Sequence, residues 1–148
     1  MMVLKPEVLI YNLDRQNIPS KRFFCSIIER SLIILKERKR IALSLIFINS
    51  KSIHRLNNYW RGYDKETTVL SFPLNEEGNI LGDIFLCPKE IKKQAKIFGI
   101  SIDFFYQNLI VHSLLHLYGY THDKINDGLK MEHLEDKIID VINKEVNN

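Results

Sequence analysis

His112 and His116 stand four residues apart and His122 follows six later, with Gly119 between the second and third. In a helical segment that first spacing puts both imidazoles on one face, with Cβ atoms about 5–6 Å apart. Gly119 can take the left-handed conformation that ends a helix and reverses the chain, which would let His122 swing back as a third ligand. The pattern is H-x-x-x-H-x-x-G-x-x-H. Three imidazoles leave a fourth tetrahedral position for water, the arrangement of a catalytic rather than a structural zinc site. Bound Zn²⁺ can bring that water's pKa down towards about 7, and imidazole also suits nickel, copper or iron. A lone histidine on a half-buried helix is more often satisfied by hydrogen bonding, but three of the chain's five histidines within this one run argue for a shared metal. His54 and His133 have no such company; His133 reads as an exposed helix residue and His54 as a structural residue or a substrate contact.

The elements that must position these residues follow from periodicity. Val8 to Tyr11 reads as a short strand. Phe24, Ile27, Ile28, Leu32 and Leu35 recur at three- and four-residue steps, which predicts an amphipathic helix over about 20–39, starting near Pro19 and Ser20. Ile41 to Ile48 is an apolar, β-branched run suited to a central strand. Ser50 is placed to cap a short helix running through Ile53 and Leu56 to Trp60, and Gly62 and Asp64 mark a loop. Thr67 to Phe72 and Ile80 to Cys87 are strands around a turn at Asn75 to Gly78, an antiparallel hairpin. Pro88 and Gly99 bracket a helix, Ser101 caps a longer apolar one that stops at Gly119, and a last helix runs from about Asp127 to Glu145 with Leu134, Ile138, Val141 and Ile142 on one face. The expected fold is therefore α+β: a four-stranded mixed sheet packed with about five helices, carrying a His₃ metal site at the end of a central helix.

Composition agrees with a single domain over 1–148. Of the 148 residues 45% are apolar and 26% charged, enough for a core and too ordered in composition for a disordered chain. No apolar run reaches the ~20 residues of a membrane span. Lys5, Pro6 and Glu7 precede any apolar stretch that could serve as a signal peptide, so a cytoplasmic protein is expected. Cys25 and Cys87 make no disulfide framework and read as small hydrophobes. Charge is uneven: residues 1–65 hold 13 Lys and Arg against 5 Asp and Glu, a balance of +8, and residues 66–148 hold 8 against 13, a balance of −5. Lys36 to Arg40, with Arg55, Arg61 and Lys65, could present a phosphate-facing surface, although cations at a helix C-terminus are favoured by the helix dipole alone.

The histidine spacing is also that of the metzincin proteases, H-E-x-x-H-x-x-G-x-x-H, but their general-base glutamate is replaced here by Ser113, which disfavours peptide hydrolysis by that route. The run His112-Ser113-Leu114-Leu115-His116-Leu117-Tyr118-Gly119-Tyr120-Thr121-His122 resembles the signature H-G-x-L-H-L-x-G-Y-D-H of the YbeY family of bacterial metal-dependent endoribonucleases. It departs from it at Ser113 and Thr121. Met131 and Glu135 fit a methionine and glutamate that the family carries downstream. Leu56-Asn57, Trp60-Arg61-Gly62, Asp64, Thr67 and Val69-Leu70-Ser71-Phe72-Pro73 resemble a second family block, with Thr68 in place of the usual Asp or Asn, and Leu81-Gly82-Asp83-Ile84 resembles a third.

The resemblance implies a His₃ zinc site and cleavage of single-stranded RNA near the 3′ end of small-subunit rRNA. The implied partners are an rRNA precursor, the small ribosomal subunit and ribosome-associated proteins. It maps the family's functional arginine onto Arg61, whose planar guanidinium suits a scissile phosphate; the ordinary alternative is a surface ion pair, for instance with Asp64. Arg61 and His112 are the expected catalytic residues. Asp83 and Glu135 are the leading carboxylates, as general base or as groups that orient a ligand, with Asp83 the more structural. Asn57, Thr67 and Ser71 could hold the loop that carries Arg61. Two other readings use the same residues: a metalloprotease-like hydrolase, and a ribosome assembly factor whose metal is structural.

Overall fold

In the computed structural model, which describes residues 4–74, 78–121 and 125–146, alternation and helical periodicity resolve into nine elements. The strands are β1 (Glu7–Asn12), β2 (Ala42–Phe47), β3 (Val69–Pro73) and β4 (Ile80–Leu86); the helices are α1 (Lys21–Ile34), α2 (Ser50–Arg61), α3 (Pro88–Phe98), α4 (Ile102–Leu117) and α5 (Ile125–Val146). The sheet runs β1-β2-β4-β3, with β1, β2 and β4 parallel and β3 antiparallel to β4. This is the expected α+β fold with its mixed four-stranded sheet and five helices. Asn75 to Glu77 of the anticipated turn lie outside the described residues, as does His122.

One face of the sheet carries the main core. Leu43, Leu45 and Phe47 of β2 and Ile84 and Leu86 of β4 point to it, against Phe24, Ile28 and Leu32 of α1 and Ile110, Leu114 and Leu117 of α4. Fully burying each such side chain is worth about 1.5–3 kcal/mol. Helix α4 sits at the centre, in contact with α1, α3, α5, β3 and β4. Its sequence is apolar nearly all round for that reason. The opposite face is covered by α2, where Ile48, Ile53, Leu70 and Cys87 form a smaller cluster. No helix among the described residues is long and apolar enough to cross a membrane.

The boundaries differ from the sequence reading in instructive ways. Helix α1 ends at Ile34 rather than near 39: the Lys36 N–H bonds to Ile33 O, the Glu37 N–H to Leu32 O, and Lys36 sits at φ 58°. That is the six-to-one, five-to-two capping pattern normally marked by glycine, so a lysine concealed it. The basic run from Lys36 to Arg40 consequently lies beyond the helix. Asn49, not Ser50, caps α2, its Oδ1 accepting from the Ser52 N–H at 2.8 Å; the Ser50 hydroxyl instead reaches Glu90 at 3.2 Å. Ser101 caps α4 as expected, and Ser20, near which α1 was expected to start, caps that helix.

Candidate active site

Helix α4 ends with the same capping pattern as α1, this time on glycine. The Gly119 N–H bonds to His116 O, the Tyr120 N–H to Leu115 O, and Gly119 lies at φ 92°. The turn so formed places the Tyr120 carbonyl 3.0 Å from His116 Nδ1, which must donate to it. One turn earlier His112 Nδ1 is held by the carboxylate of Glu135 from α5. Both rings thereby carry their proton on Nδ1 and direct the lone pair of Nε2 inward, and the two Nε2 atoms face each other at 2.9 Å. Two lone pairs that close repel unless a cation or a shared proton lies between them. Tetrahedral zinc with Zn–N near 2.0–2.1 Å would set neighbouring nitrogens about 3.3 Å apart, a little wider than here, so these two nitrogens suit two positions of such an ion. Among the described residues His112 and His116 are brought together and no third His, Cys, Asp or Glu completes a metal-binding group.

The histidines open onto a cleft of about 690 Å³ walled by Trp60 and Arg61 from the end of α2, Thr67, the edge strand β3, and Gly119 to Thr121. Arg61 therefore shares a cavity with His112 and His116, although 51 residues separate it from the nearer one. The alternative, an ion pair with Asp64, does not form. Asp64 instead accepts from His54 Nε2 at 2.6 Å, and the Arg61 guanidinium lies over the Tyr63 ring, 4.9 Å from its centroid. His54 thus ties the 62–66 loop to α2 and does not line the cleft. Asn57 does the same from inside: fully buried, it donates to Lys65 O at 2.9 Å.

The remaining carboxylates sort by sheet geometry. Gly82 faces α4 so closely that an added Cβ would meet Leu117 at 3.0 Å and Phe72 O at 2.2 Å. Asp83, the next residue on the strand, must point to the opposite face, away from the histidines. Glu135 is committed to His112, the orienting role; Met131, one turn earlier on α5, is fully buried in the core beneath it. No carboxylate is among the described residues lining the cleft. Ser113 is fully buried and absent from its walls, so it takes no part in proton transfer there. Behind the turn, the Tyr118 hydroxyl donates to Glu37 at 2.6 Å. Burial, then the hydrogen bond and charge of Glu37, push the phenol pKa well up. Burial works to raise the Glu37 carboxyl, but the Tyr118 hydroxyl and the N–H groups of Lys39 and Arg38 outweigh it and hold that pKa down. The Tyr120 carbonyl left no signal in the sequence, because any residue supplies one.

Fold and cleft together define a small α+β protein whose reactive groups gather where a buried helix ends beside an edge strand. The family model described as endoribonuclease YbeY matches residues 10–143. The chain belongs to that family. It is 31% identical over 147 residues to endoribonuclease YbeY of Bdellovibrio bacteriovorus, covering 95% of this chain and 97% of that one. It is 34% identical to the Nitrosomonas eutropha protein of the same name, over 88% and 89% of the two chains. The solution structure of TM1509 from Thermotoga maritima superposes with a TM-score of 0.66 at 25% identity, covering 95% of this chain and 91% of that one.

Proposed function

We propose that this chain is a zinc-dependent, single-strand-specific endoribonuclease of small-subunit rRNA 3′-end maturation, working on a precursor RNA at the ribosomal subunit in the cytoplasm. His112, His116 and His122 would hold the metal and Arg61 would meet the scissile phosphate. The observation that carries the reading is one cleft walled by Arg61 and by two imidazoles with converging Nε2 atoms, and by no carboxylate among the described residues. Such walls favour an anionic substrate. When bound, the ion supplies Lewis acidity, lowering the pKa of a water and taking up charge from a phosphoryl oxygen; nickel could replace zinc on purification.

The protein's own groups do the positioning. Glu135 and the Tyr120 carbonyl fix the two ring orientations and make the imidazoles stronger donors. Arg61, its guanidinium lying over Tyr63 rather than paired with Asp64, keeps its hydrogen-bonding fork for phosphate oxygens and for the charge that grows on them. The edge strand β3 in the cleft wall is the one feature that would suit an extended peptide, but Ser113 offers no base, which leaves a protease without its proton acceptor.

Incubating metal-loaded protein with rRNA precursor tests this directly. Arg61→Ala should cut kcat about 10²–10³-fold, the usual cost of losing one transition-state donor. Arg61→Lys should recover little of it, because an ammonium lacks the planar fork. Absence of scission by the wild type, or undiminished scission by both Arg61→Ala and His112→Ala, would overturn the proposal. RNA binding without scission would point to an assembly factor instead.

A further inference from the structure

Trp60 is the chain's only tryptophan and stands 62% exposed at the rim of the cleft, between Tyr59 at 79% and Tyr63 at 51%. Tryptophan is a highly buried residue type on average, and three neighbouring aromatics open to water at once form a patch that needs a reason. The indole is not loose. Its ring packs edge-on against Tyr59 at 5.0 Å and against Phe72 of β3 at 5.8 Å, and Phe72 in turn meets Phe85 of β4 at 5.6 Å. A chain of edge contacts therefore braces Trp60 from the sheet while leaving much of its surface open.

The surroundings are cationic. Helix α2 contains Lys51, Arg55 and Arg61 and no acidic residue. Lys51, Arg55 and Tyr59 recur every four residues and are all exposed, forming one stripe that leads to Trp60. From Lys51 to Tyr59 that stripe runs about 12 Å, enough for roughly two nucleotides of extended strand. Asp64 and Glu66 face His54, and at the start of the helix Glu90 accepts from the Ser50 hydroxyl and Asp14 from the Asn49 N–H.

We propose that Trp60, flanked by Tyr59, is a base-stacking platform for single-stranded RNA, with the strand's phosphates led along Lys51 and Arg55 towards Arg61. This rests on the endoribonuclease reading and adds the group that selects unpaired RNA. A base can lie on the indole only when it is free of its own helix, and stacking needs no particular sequence. Duplex RNA offers the same phosphates but no open base face.

The only tryptophan makes its own reporter. Intrinsic fluorescence of the full-length, metal-loaded protein would be titrated with a 2′-O-methyl oligoadenylate. Parallel titrations would use a duplex of the same length, an abasic oligonucleotide of equal charge, and inorganic polyphosphate. Quenching by the oligoadenylate with little response to the other three is expected. Equal quenching by the abasic strand or polyphosphate, or none by any probe, would overturn the platform. By anisotropy of a labelled strand, Trp60→Ala should weaken binding about five-fold to a hundred-fold, whereas Trp60→Phe should stay within about two-fold. Unchanged affinity in Trp60→Ala would likewise refute it. Base-dependent quenching by a wild type that never cuts RNA would sink the nuclease reading and leave the platform standing. Normal cutting by Trp60→Ala with unaltered KM would do the reverse.

Discussion

A histidine becomes a dependable donor only when its second nitrogen is tied down, and here the two ties differ in kind. His116 is oriented by a backbone carbonyl, which mutation cannot remove, and His112 by the Glu135 carboxylate, which it can. Glu135→Gln keeps the shape of the side chain and removes its charge, so His112 loses both a strong acceptor and the basicity it lends. If these rings hold zinc, the substitution should weaken zinc affinity about 10–100-fold while leaving the fold intact. Competition against a chromophoric chelator, with circular dichroism as the control for folding, measures this. Unchanged zinc affinity would show that the carboxylate does not support a metal site.

Helix ends decide where the side chains of α1 and α4 stop and the loops begin. Both helices close with the same hydrogen-bond pattern, but α4 has Gly119 at the left-handed position and α1 has Lys36. An added Cβ at Gly119 meets nothing within 4 Å, so Gly119→Ala should cost only its backbone strain, about 1–2 kcal/mol. It should also disturb activity, because the same turn carries the carbonyl that orients His116. Lys36→Gly should go the other way, stabilising by about 0.5 kcal/mol once the greater flexibility of the unfolded chain is subtracted. Urea denaturation of the two variants checks both signs. A destabilised Lys36→Gly would mean that the lysine side chain makes a contact worth more than its strain.

Across the whole molecule, charge and cleft are aligned. The first 65 residues carry the +8 balance, and Lys51, Arg55 and Arg61 from that part of the chain lie on α2, the helix whose end forms one wall of the cleft. If three cations meet three phosphates, the logarithm of RNA affinity should fall against the logarithm of salt with a slope of about −2. Substituting Arg55 should make it shallower by about 0.7. Fluorescence titrations between low and moderate salt give the slope, and a salt-independent affinity would remove electrostatics from recognition.

Local order was legible in the sequence because its signals are local. The apolar strand runs, the helix start near Ser20, the Ser101 cap, the Pro88–Gly99 helix and the Gly119 stop each depend on a few neighbouring residues, and all appear in the structure. The early end of α1 was not legible, since a lysine held left-handed by its surroundings carries no glycine mark. Motif spacing set His112 and His116 on one helical face, whereas His122 lies outside the described residues. Tertiary packing alone decided which distant groups meet: that Asp64 answers His54 and not Arg61, that Glu135 rather than Asp83 reaches a histidine, and that Trp60 stands open beside the cleft. Spacing along a chain fixes directions within one element, but distances between elements are set by how the buried faces of α2, α4 and α5 fit the sheet and one another.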